Sequence, residues 1–357
     1  MTTCFAPPNR GRFDPETAGE PKFAGCWALV SQRAVPRNGQ RYPNPAGGGL
    51  AILTRLRIAW RRWARRSTPT GNGHVRKAVQ HLGFGLAAMV LVMAGPTGAA
   101  AQPPWLTYYS DDAPIEAFSE YSLIVLDADH HPPLAPLSAQ RKLLLGYISL
   151  GEVERYRSHF AEVESEGILV QENEDWPGSF YVDVRDPRWT QRVVSELVPE
   201  ILRRGFDGIF LDTLDNAADL ERTDPAAYAG MTEAAARLVR TIRLHFPTIT
   251  IMLNRAYEIL PLVEQDVDML LGESVFTDYN FETKDYGRVP AETYREQVEW
   301  LQAAMARQPH LRVMTLDYWD PQDLDGIRRI YREQRANGFE PYVSSIELDR
   351  IVAEPGK

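Results

Sequence analysis

Short apolar segments alternate with longer amphipathic ones along residues 102–357. Eight of the short segments have the length and composition of strands that are buried on both faces, as in a parallel sheet. They are Trp105–Tyr109, Leu123–Asp127, Leu143–Leu150, Gly208–Asp212, Thr248–Leu253, Asp268–Gly272, Arg312–Asp317 and Pro341–Ser345. Helical stretches follow most of them, and the total length is close to the roughly 250 residues of an eightfold barrel. The pattern predicts an α/β fold, a single (β/α)8 TIM barrel.

Proline, aspartate and glycine mark the predicted helix ends. Aspartate caps a helix N-terminus and proline suits the first turn, so three helix starts are predicted, at Asp186-Pro187, Asp224-Pro225 and Asp320-Pro321. Gly205 and Gly338 predict helix ends, because glycine readily takes the left-handed conformation found there. Pro199 lies inside one predicted helix and should kink or shorten it.

The connection between the third and fourth predicted strands is long. It runs from Gly151 to about Asp186 and contains the β-like run Phe180–Val184. Long loops on a barrel commonly carry function or local structure. We expect a lid or the edge of a substrate groove here.

Residues 1–101 differ in charge from the rest of the chain. They contain 14 basic and 3 acidic residues, whereas residues 102–357 contain 25 basic and 45 acidic ones, a net charge of −20. A basic stretch at His74–Lys77 precedes the apolar segment Leu82–Gly95 and the small residues Ala99–Ala101. This order is typical of a signal peptide, and the apolar segment is shorter than the roughly 20 residues of a membrane span.

We therefore expect three regions along the chain. Residues 1–73 are predicted to be a disordered or wrongly included extension, and residues 74–101 a signal peptide. Residues 102–357 are predicted to be the barrel domain, secreted or periplasmic and without a stable membrane span. Both cysteines, Cys4 and Cys26, precede this domain. The domain can therefore form neither an internal disulfide nor a zinc site built on thiolates.

Polar side chains follow the predicted strands at their carboxyl ends, where barrels of this kind place their chemistry. They are Asp127, Asp129, Glu152, Asp212, Asn254, Glu273 and Asp317. Carboxylates crowded at one mouth repel each other unless a site uses them. Asp212 alone could be the N-cap of the following helix. Capping does not explain the whole set.

Three kinds of function fit such a mouth. Glycoside hydrolysis uses two carboxyl groups, one ionised and one protonated. A divalent-metal hydrolase could use Asp127, Asp129 and His130, although the adjacent His130-His131 pair lacks the spacing of two ligands on one helical face. A sugar-binding barrel without turnover is the third.

Aromatic residues lie among these acids: Tyr108, Tyr109, Tyr147, Tyr257, Tyr279, Tyr318 and Trp319. Flat apolar rings beside carboxylates suit sugars, because a ring stacks on the sugar while an acid accepts from its hydroxyls. About half of the rings are expected to be ordinary barrel packing. By their positions, Asn254, Tyr279, Asp317 and Tyr318 are expected substrate contacts.

Four segments resemble glycoside hydrolase family 114, the endo-α-1,4-polygalactosaminidase group that includes hydrolase domains of Pel-polysaccharide-processing proteins. They are Leu145–Glu152, Asp183–Trp189, Gly205–Asp212 and Gly272–Ser274. The resemblance extends from about Tyr108 to Ser345. It implies retaining cleavage of α-1,4-linked galactosamine or N-acetylgalactosamine polymers, with no cofactor.

The resemblance also implies individual roles. Asp212 would be the nucleophile and Glu273 the general acid/base, while Asp127, Tyr147 and Glu152 would line the subsite nearest the cut. The residues alone do not select Asp212 and Glu273 over Glu152 or Asp317. No deacetylase domain follows, so we expect a stand-alone hydrolase.

The charge of the barrel domain bears on the expected partner. A partly deacetylated galactosaminan is a polycation, and a domain with a net charge of −20 attracts it. The same charge disfavours nucleic acid as a partner. We expect a monomer that acts on a cationic or partly acetylated galactosaminan.

Overall fold

The computed structural model describes residues 104–174, 176–281 and 283–356. The predicted extension and signal peptide lie outside these residues. Within them, eight parallel strands form one sheet in the order β1-β2-β3-β7-β8-β9-β12-β13. These strands are β1 Trp105–Tyr108, β2 Leu123–Asp127, β3 Leu143–Ser149, β7 Gly208–Asp212, β8 Thr250–Asn254, β9 Met269–Glu273, β12 Arg312–Tyr318 and β13 Glu340–Ser344. All eight predicted strands are confirmed, with ends that differ by at most two residues.

The two edges of this sheet meet. Trp105 Nε1 donates to Glu340 O at 2.9 Å, and Tyr109 N donates to Leu348 O at 2.8 Å. These bonds join the first strand to the last, so the sheet curls into a nearly closed barrel. The predicted (β/α)8 fold is confirmed. Inside, apolar strand residues such as Phe210, Met252 and Leu271 are completely buried.

Helices surround the barrel. They are α1 Leu134–Ala139, α2 Phe160–Ser165, α3 Pro187–Arg192, α4 Val198–Arg204, α5 Asp215–Thr223, α6 Met231–His245, α7 Leu260–Val263, α8 Ala291–Arg307 and α9 Leu324–Ala336, with a 3-10 helix at Ile115–Phe118. Gly205 ends α4 with φ +109°, as predicted, and Gly338 follows α9 with φ +88°. A π-helical turn at Val193–Leu197 links α3 to α4. The helix therefore continues past Pro199. The irregularity predicted around this proline takes the form of the π-helical turn directly before it.

The three Asp-Pro pairs behave differently. Asp186 caps α3 and accepts from Arg188 N at 2.8 Å, as predicted. The other two helix-start predictions are wrong. Asp224 accepts from the backbone of Ala226 and Ala227, and Asp320 from that of Gln322. Each closes a local turn several residues before the helix, because an aspartate can bond to nearby backbone without a helix following.

Two excursions rise from the carboxyl ends of the strands. The long connection after β3 contains a three-stranded antiparallel sheet of β4 Glu152–Glu154, β5 Leu169–Glu172 and β6 Ser179–Val182, in the order β4-β6-β5. The predicted β-like run is confirmed as β6. The second excursion, after β9, is a hairpin of β10 Thr277–Asn280 and β11 Asp285–Arg288.

One arginine fastens the first excursion to the barrel wall. Arg192 of α3 is nearly buried and pairs with Glu162 at 2.8 Å, Glu166 at 2.8 Å and Glu196 at 3.0 Å. Glu162 belongs to α2 of the excursion and Glu166 follows that helix directly. The cluster therefore joins the excursion to the helix beneath it.

Replacing this guanidinium should loosen the excursion. Arg192→Met keeps the apolar stem but removes the shared cation, and we expect the free energy of unfolding to fall by roughly 1–3 kcal/mol. Limited proteolysis should also cut faster within residues 155–178. Arg203→Met, which removes an exposed arginine paired with Glu200, is the matched control. Equal stability and equal cleavage in the two variants would contradict this role.

Candidate active site

Asp212, Asn254 and Glu273 are the last residues of β7, β8 and β9, which are neighbours in the barrel. Their side chains therefore meet at the mouth. Asn254 Nδ2 donates to Asp212 Oδ1 at 2.9 Å and to Glu273 Oε2 at 2.8 Å. One amide group bridges the two acids.

Each acid also accepts from a tyrosine on its other oxygen. Tyr147, in β3, donates to Asp212 Oδ2 at 3.0 Å, and Tyr318, at the end of β12, donates to Glu273 Oε1 at 2.6 Å. The five side chains thus form one network drawn from five strands. All of them were predicted as site residues, and the structure brings them together.

Burial changes the acidity of the pair. Asp212 is 3% exposed and Glu273 is 1% exposed. Loss of water raises the pKa of Asp212 to about 7, and the charge of Asp215 adds to this. Burial raises the pKa of Glu273 to about 8, with the charge of Asp212 as the next cause. Both groups therefore change protonation near neutral pH rather than near pH 4.

The backbone turns sharply after each of these three residues. Thr213, Arg255 and Ser274 have φ values of +65°, +50° and +50°. Such values are uncommon without glycine, and Thr213 is also β-branched. Left-handed residues of this kind cluster at functional sites, where the surrounding structure holds them in place.

The Thr213 hydroxyl ties this turn to the first excursion. It accepts from Gly151 N at 2.8 Å and lies 2.9 Å from Ser149 Oγ, which donates to Glu152 O. A Cβ on residue 151 would lie 2.0 Å from Thr213 O, so only glycine fits there. The end of β7 and the start of β4 are therefore held in one arrangement.

Glu152, the first residue of β4, is buried at the edge of the pair. It accepts from Asn173 at 2.9 Å, from Asn216 at 2.6 Å and from Ser179. Burial raises its pKa. Two of these three donors belong to the excursion, so Glu152 joins the excursion to the barrel mouth.

Sequence reasoning missed Arg157. Its guanidinium pairs with Asp127 at 2.9 Å, with Asp129 at 2.7 Å and with Glu154 at 3.3 Å, and it lies over the Tyr147 ring at 5.6 Å. No regular spacing in the sequence marks one arginine of a long connection as the partner of these acids. Asp127 is therefore bound to a cation within the chain.

The two aspartates of the alternative metal-site prediction form hydrogen bonds and ion pairs within the chain. Asp127 accepts from the backbone of Asp129 and His130, and Asp129 also pairs with Arg204. Among residues 104–174, 176–281 and 283–356, no group of three or more His, Cys, Asp or Glu side chains is arranged to hold a metal ion.

Asp317 does not face the mouth. It is completely buried and accepts from Phe276 N at 2.7 Å, Thr277 N at 2.8 Å and Gln334 Nε2 at 2.5 Å. These bonds fix the start of the hairpin that follows Glu273. The expected substrate contact is corrected to a positioning role, because one carboxylate oxygen is bonded to the hairpin backbone and the other to Gln334 of α9. Tyr279 of β10 is half-buried.

The helix-cap explanation of Asp212 is wrong. The following helix begins at Asp215, with Leu214 as its N-cap, and both oxygens of the Asp212 carboxylate are bonded to side chains of other strands.

In the described part of the chain, no helix has the length and apolar character needed to span a membrane.

A comparison with protein families identifies one that covers most of the chain. The model of glycoside-hydrolase family GH114 matches residues 94–357. An uncharacterized protein of Deinococcus radiodurans is 28% identical over 244 residues, which cover 66% of this chain and 76% of that protein.

Two solved structures are similar in fold. The glycoside hydrolase domain of PelA from Pseudomonas aeruginosa has a TM-score of 0.62 and 23% identity, over 70% of this chain and 98% of that one. Aspergillus fumigatus Ega3, solved in complex with galactosamine, has a TM-score of 0.50 and 16% identity, over 71% and 98%.

The raised pKa values predict how stability depends on pH. In the folded chain Asp212 and Glu273 keep protons that the unfolded chain has lost, so the folded state binds more protons between about pH 4 and 8. The free energy of unfolding should therefore fall as pH rises through this window, by up to about 1.4 kcal/mol per pH unit for each group.

Urea unfolding at several pH values measures this slope. The double variant Asp212→Asn, Glu273→Gln should have a flatter dependence than the wild type. Glu299→Gln, at an exposed acid of α8, is the control. Parallel curves for the wild type and the double variant would contradict the raised pKa values.

Proposed function

The chain belongs to glycoside-hydrolase family GH114 and is a glycoside hydrolase, and from this premise we propose that it cleaves α-1,4-linked galactosamine or N-acetylgalactosamine polymers with retention of configuration. The observation that carries the proposal is the Asn254 bridge between Asp212 and Glu273. It joins the two carboxyl groups through one amide nitrogen, which supports a reaction that uses both of them.

The geometry of the bridge favours retention over inversion. The two N–H bonds of one amide diverge at roughly 120°, so the two acceptor oxygens lie about 5 Å apart. Retaining glycosidases have carboxyl groups roughly 5–5.5 Å apart, whereas inverting ones leave roughly 6.5–9.5 Å for a water molecule.

The first step forms a covalent intermediate. Ionised Asp212 attacks the anomeric carbon, the bond to the departing sugar breaks, and the departing oxygen takes the proton of Glu273. In the second step Glu273 removes a proton from water, the water oxygen bonds to the anomeric carbon, and Asp212 is released as a carboxylate. Both groups then return to their starting states.

The surroundings of the two acids support this division of roles. Asn254 and Tyr147 donate to Asp212 and stabilise its ionised form, which opposes the effect of burial. Once Asp212 is ionised, its charge raises the pKa of Glu273. Glu273 therefore keeps its proton when Asp212 has lost its own, as an acid and nucleophile pair requires.

The choice of substrate rests on the family and on charge. Ega3, which shares this fold, was solved with galactosamine. Residues 102–357 carry a net charge of −20, which attracts a chain bearing ammonium groups. We also propose that residues 74–101 direct export, which brings the enzyme to an extracellular or periplasmic polymer.

Removing either carboxylate should abolish cleavage. Asp212→Asn loses the nucleophile and Glu273→Gln loses the transferable proton, so release of reducing ends from purified galactosaminan should fall by at least about 10³-fold. Thermal melting should change by only a few degrees. Glu299→Gln, on the exposed face of α8, should retain activity.

Full activity in Asp212→Asn or Glu273→Gln would reject these roles. A wild-type chain that binds galactosaminan but releases no reducing ends would favour a binding barrel. Activity that is lost in EDTA and restored by a divalent metal would favour the metal-dependent alternative.

The stereochemistry of the product is a separate prediction. Proton NMR of the first product formed should show the α-anomer, which later mutarotates, because two successive inversions preserve the configuration of the bond. The β-anomer as the initial product would show direct attack by water.

A further inference from the structure

We propose that five half-buried rings form a binding track for galactosaminan units remote from the point of cleavage. The rings, here called the aromatic row, are Trp176, Phe281, Tyr279, Tyr286 and Trp319. The inference rests on the proposed function, since it takes the same polymer as the ligand. It adds an extended groove to the two-carboxylate centre.

Successive rings of the aromatic row touch. The centroid distances are 5.1 Å from Trp176 to Phe281, 5.1 Å from Phe281 to Tyr279, 5.0 Å from Tyr279 to Tyr286 and 6.5 Å from Tyr286 to Trp319. Neighbouring rings of a cluster fall in the 4.5–7 Å range of aromatic pairs. The row is therefore continuous, and none of its members is completely buried.

The aromatic row belongs to the carboxyl-terminal face of the barrel. Trp176 lies in the excursion after β3, whereas Tyr279, Phe281 and Tyr286 lie in and around the hairpin after β9. Trp319 directly follows Tyr318, the tyrosine that donates to Glu273. The row therefore connects the excursion after β3, through the hairpin after β9, to the residue that follows β12.

The Trp319 ring is held in a defined position. Its Nε1 donates to Asp323 Oδ2 at 2.9 Å, and its backbone N donates to Ser344 O at 3.0 Å. A Cβ on Gly326 would lie 2.0 Å from Trp319 Nε1. Glycine inside a helix is less favourable than alanine, so α9 gives up helix stability at this position and leaves room for the ring.

Exposed acids flank the row. The charges of Asp285 and Glu347 act on Tyr279, and those of Glu347 and Asp320 act on Tyr286. Neither Asp285 nor Glu347 forms an ion pair with another residue of the described ranges. Rings stack on the apolar faces of sugars and attract ammonium groups, and free carboxylates beside them add charge complementarity. This combination suits a polymer of amino sugars.

The dependence of KM on oligomer length distinguishes a row that binds substrate from a cluster of side chains that only pack together. We would measure KM and kcat on galactosamine oligomers of increasing length for Trp176→Ala, Trp319→Ala and the conservative Trp319→Phe. If the row binds remote units, each alanine variant should raise KM for an octamer by roughly tenfold and by a smaller factor for the shortest cleaved oligomer. Trp319→Phe, which keeps an aromatic ring, should have a KM close to that of the wild type.

Trp300→Ala is the matched control. Trp300 is 47% exposed on α8, contacts Tyr257 and lies outside the row, so its replacement should leave KM unchanged at every length. Thermal melting of each variant verifies folding.

A rise in KM that is the same for oligomers of all lengths, or no rise, would overturn the track while leaving the proposed function intact. A wild-type chain that neither binds nor cleaves any galactosaminan would overturn both. Cleavage confined to chain ends, with no fall in mean polymer length early in the reaction, would also count against an extended groove.

Discussion

The shared amide of Asn254 is the interaction on which the site depends. Two carboxyl groups this close and this far from water repel each other when both are ionised, and burial disfavours even one charge. Asn254 offers one N–H to each acid, so either charge state is hydrogen-bonded. This arrangement fixes the amide orientation. It leaves Asn254 Oδ1 buried without a hydrogen-bond partner among the described residues.

The barrel supplies the rigidity that this arrangement needs. Three neighbouring strands end in the three central residues, and each strand is followed at once by a left-handed residue. Left-handed backbone at residues other than glycine is unfavourable, by roughly 1 kcal/mol or more each. The buried strands beneath, the Thr213 hydroxyl and the Asp317 carboxylate offset that cost by fixing the turns. Polar groups that are remote from a substrate therefore still determine where the reacting ones lie.

The sequence predicted the parts of the molecule that follow from local pattern. Strands buried on both faces give unbroken apolar runs, so all eight barrel strands were predictable, and the carboxyl ends of parallel strands must meet at one face. The remaining features depend on long-range geometry. Whether an aspartate begins a helix or closes a turn, as at Asp224, and whether an acid faces the mouth or a loop, as at Asp317, is decided by packing. Arg157 could not be predicted, because Asp127 and Asp129, two of its three acidic partners, lie about 30 residues earlier at the end of β2 and meet it only in the folded chain.

Trapping of the glycosyl-enzyme tests the central claim most directly. A fluorinated galactosaminyl fluoride with a slowed second step should label the chain once, and peptide mass spectrometry should place the sugar on Asp212. The Asp212→Asn variant should remain unlabelled, while Glu299→Gln should label normally. A label on another carboxylate, or equal labelling of Asp212→Asn, would contradict a site in which the Asn254 amide holds Asp212 as nucleophile beside Glu273.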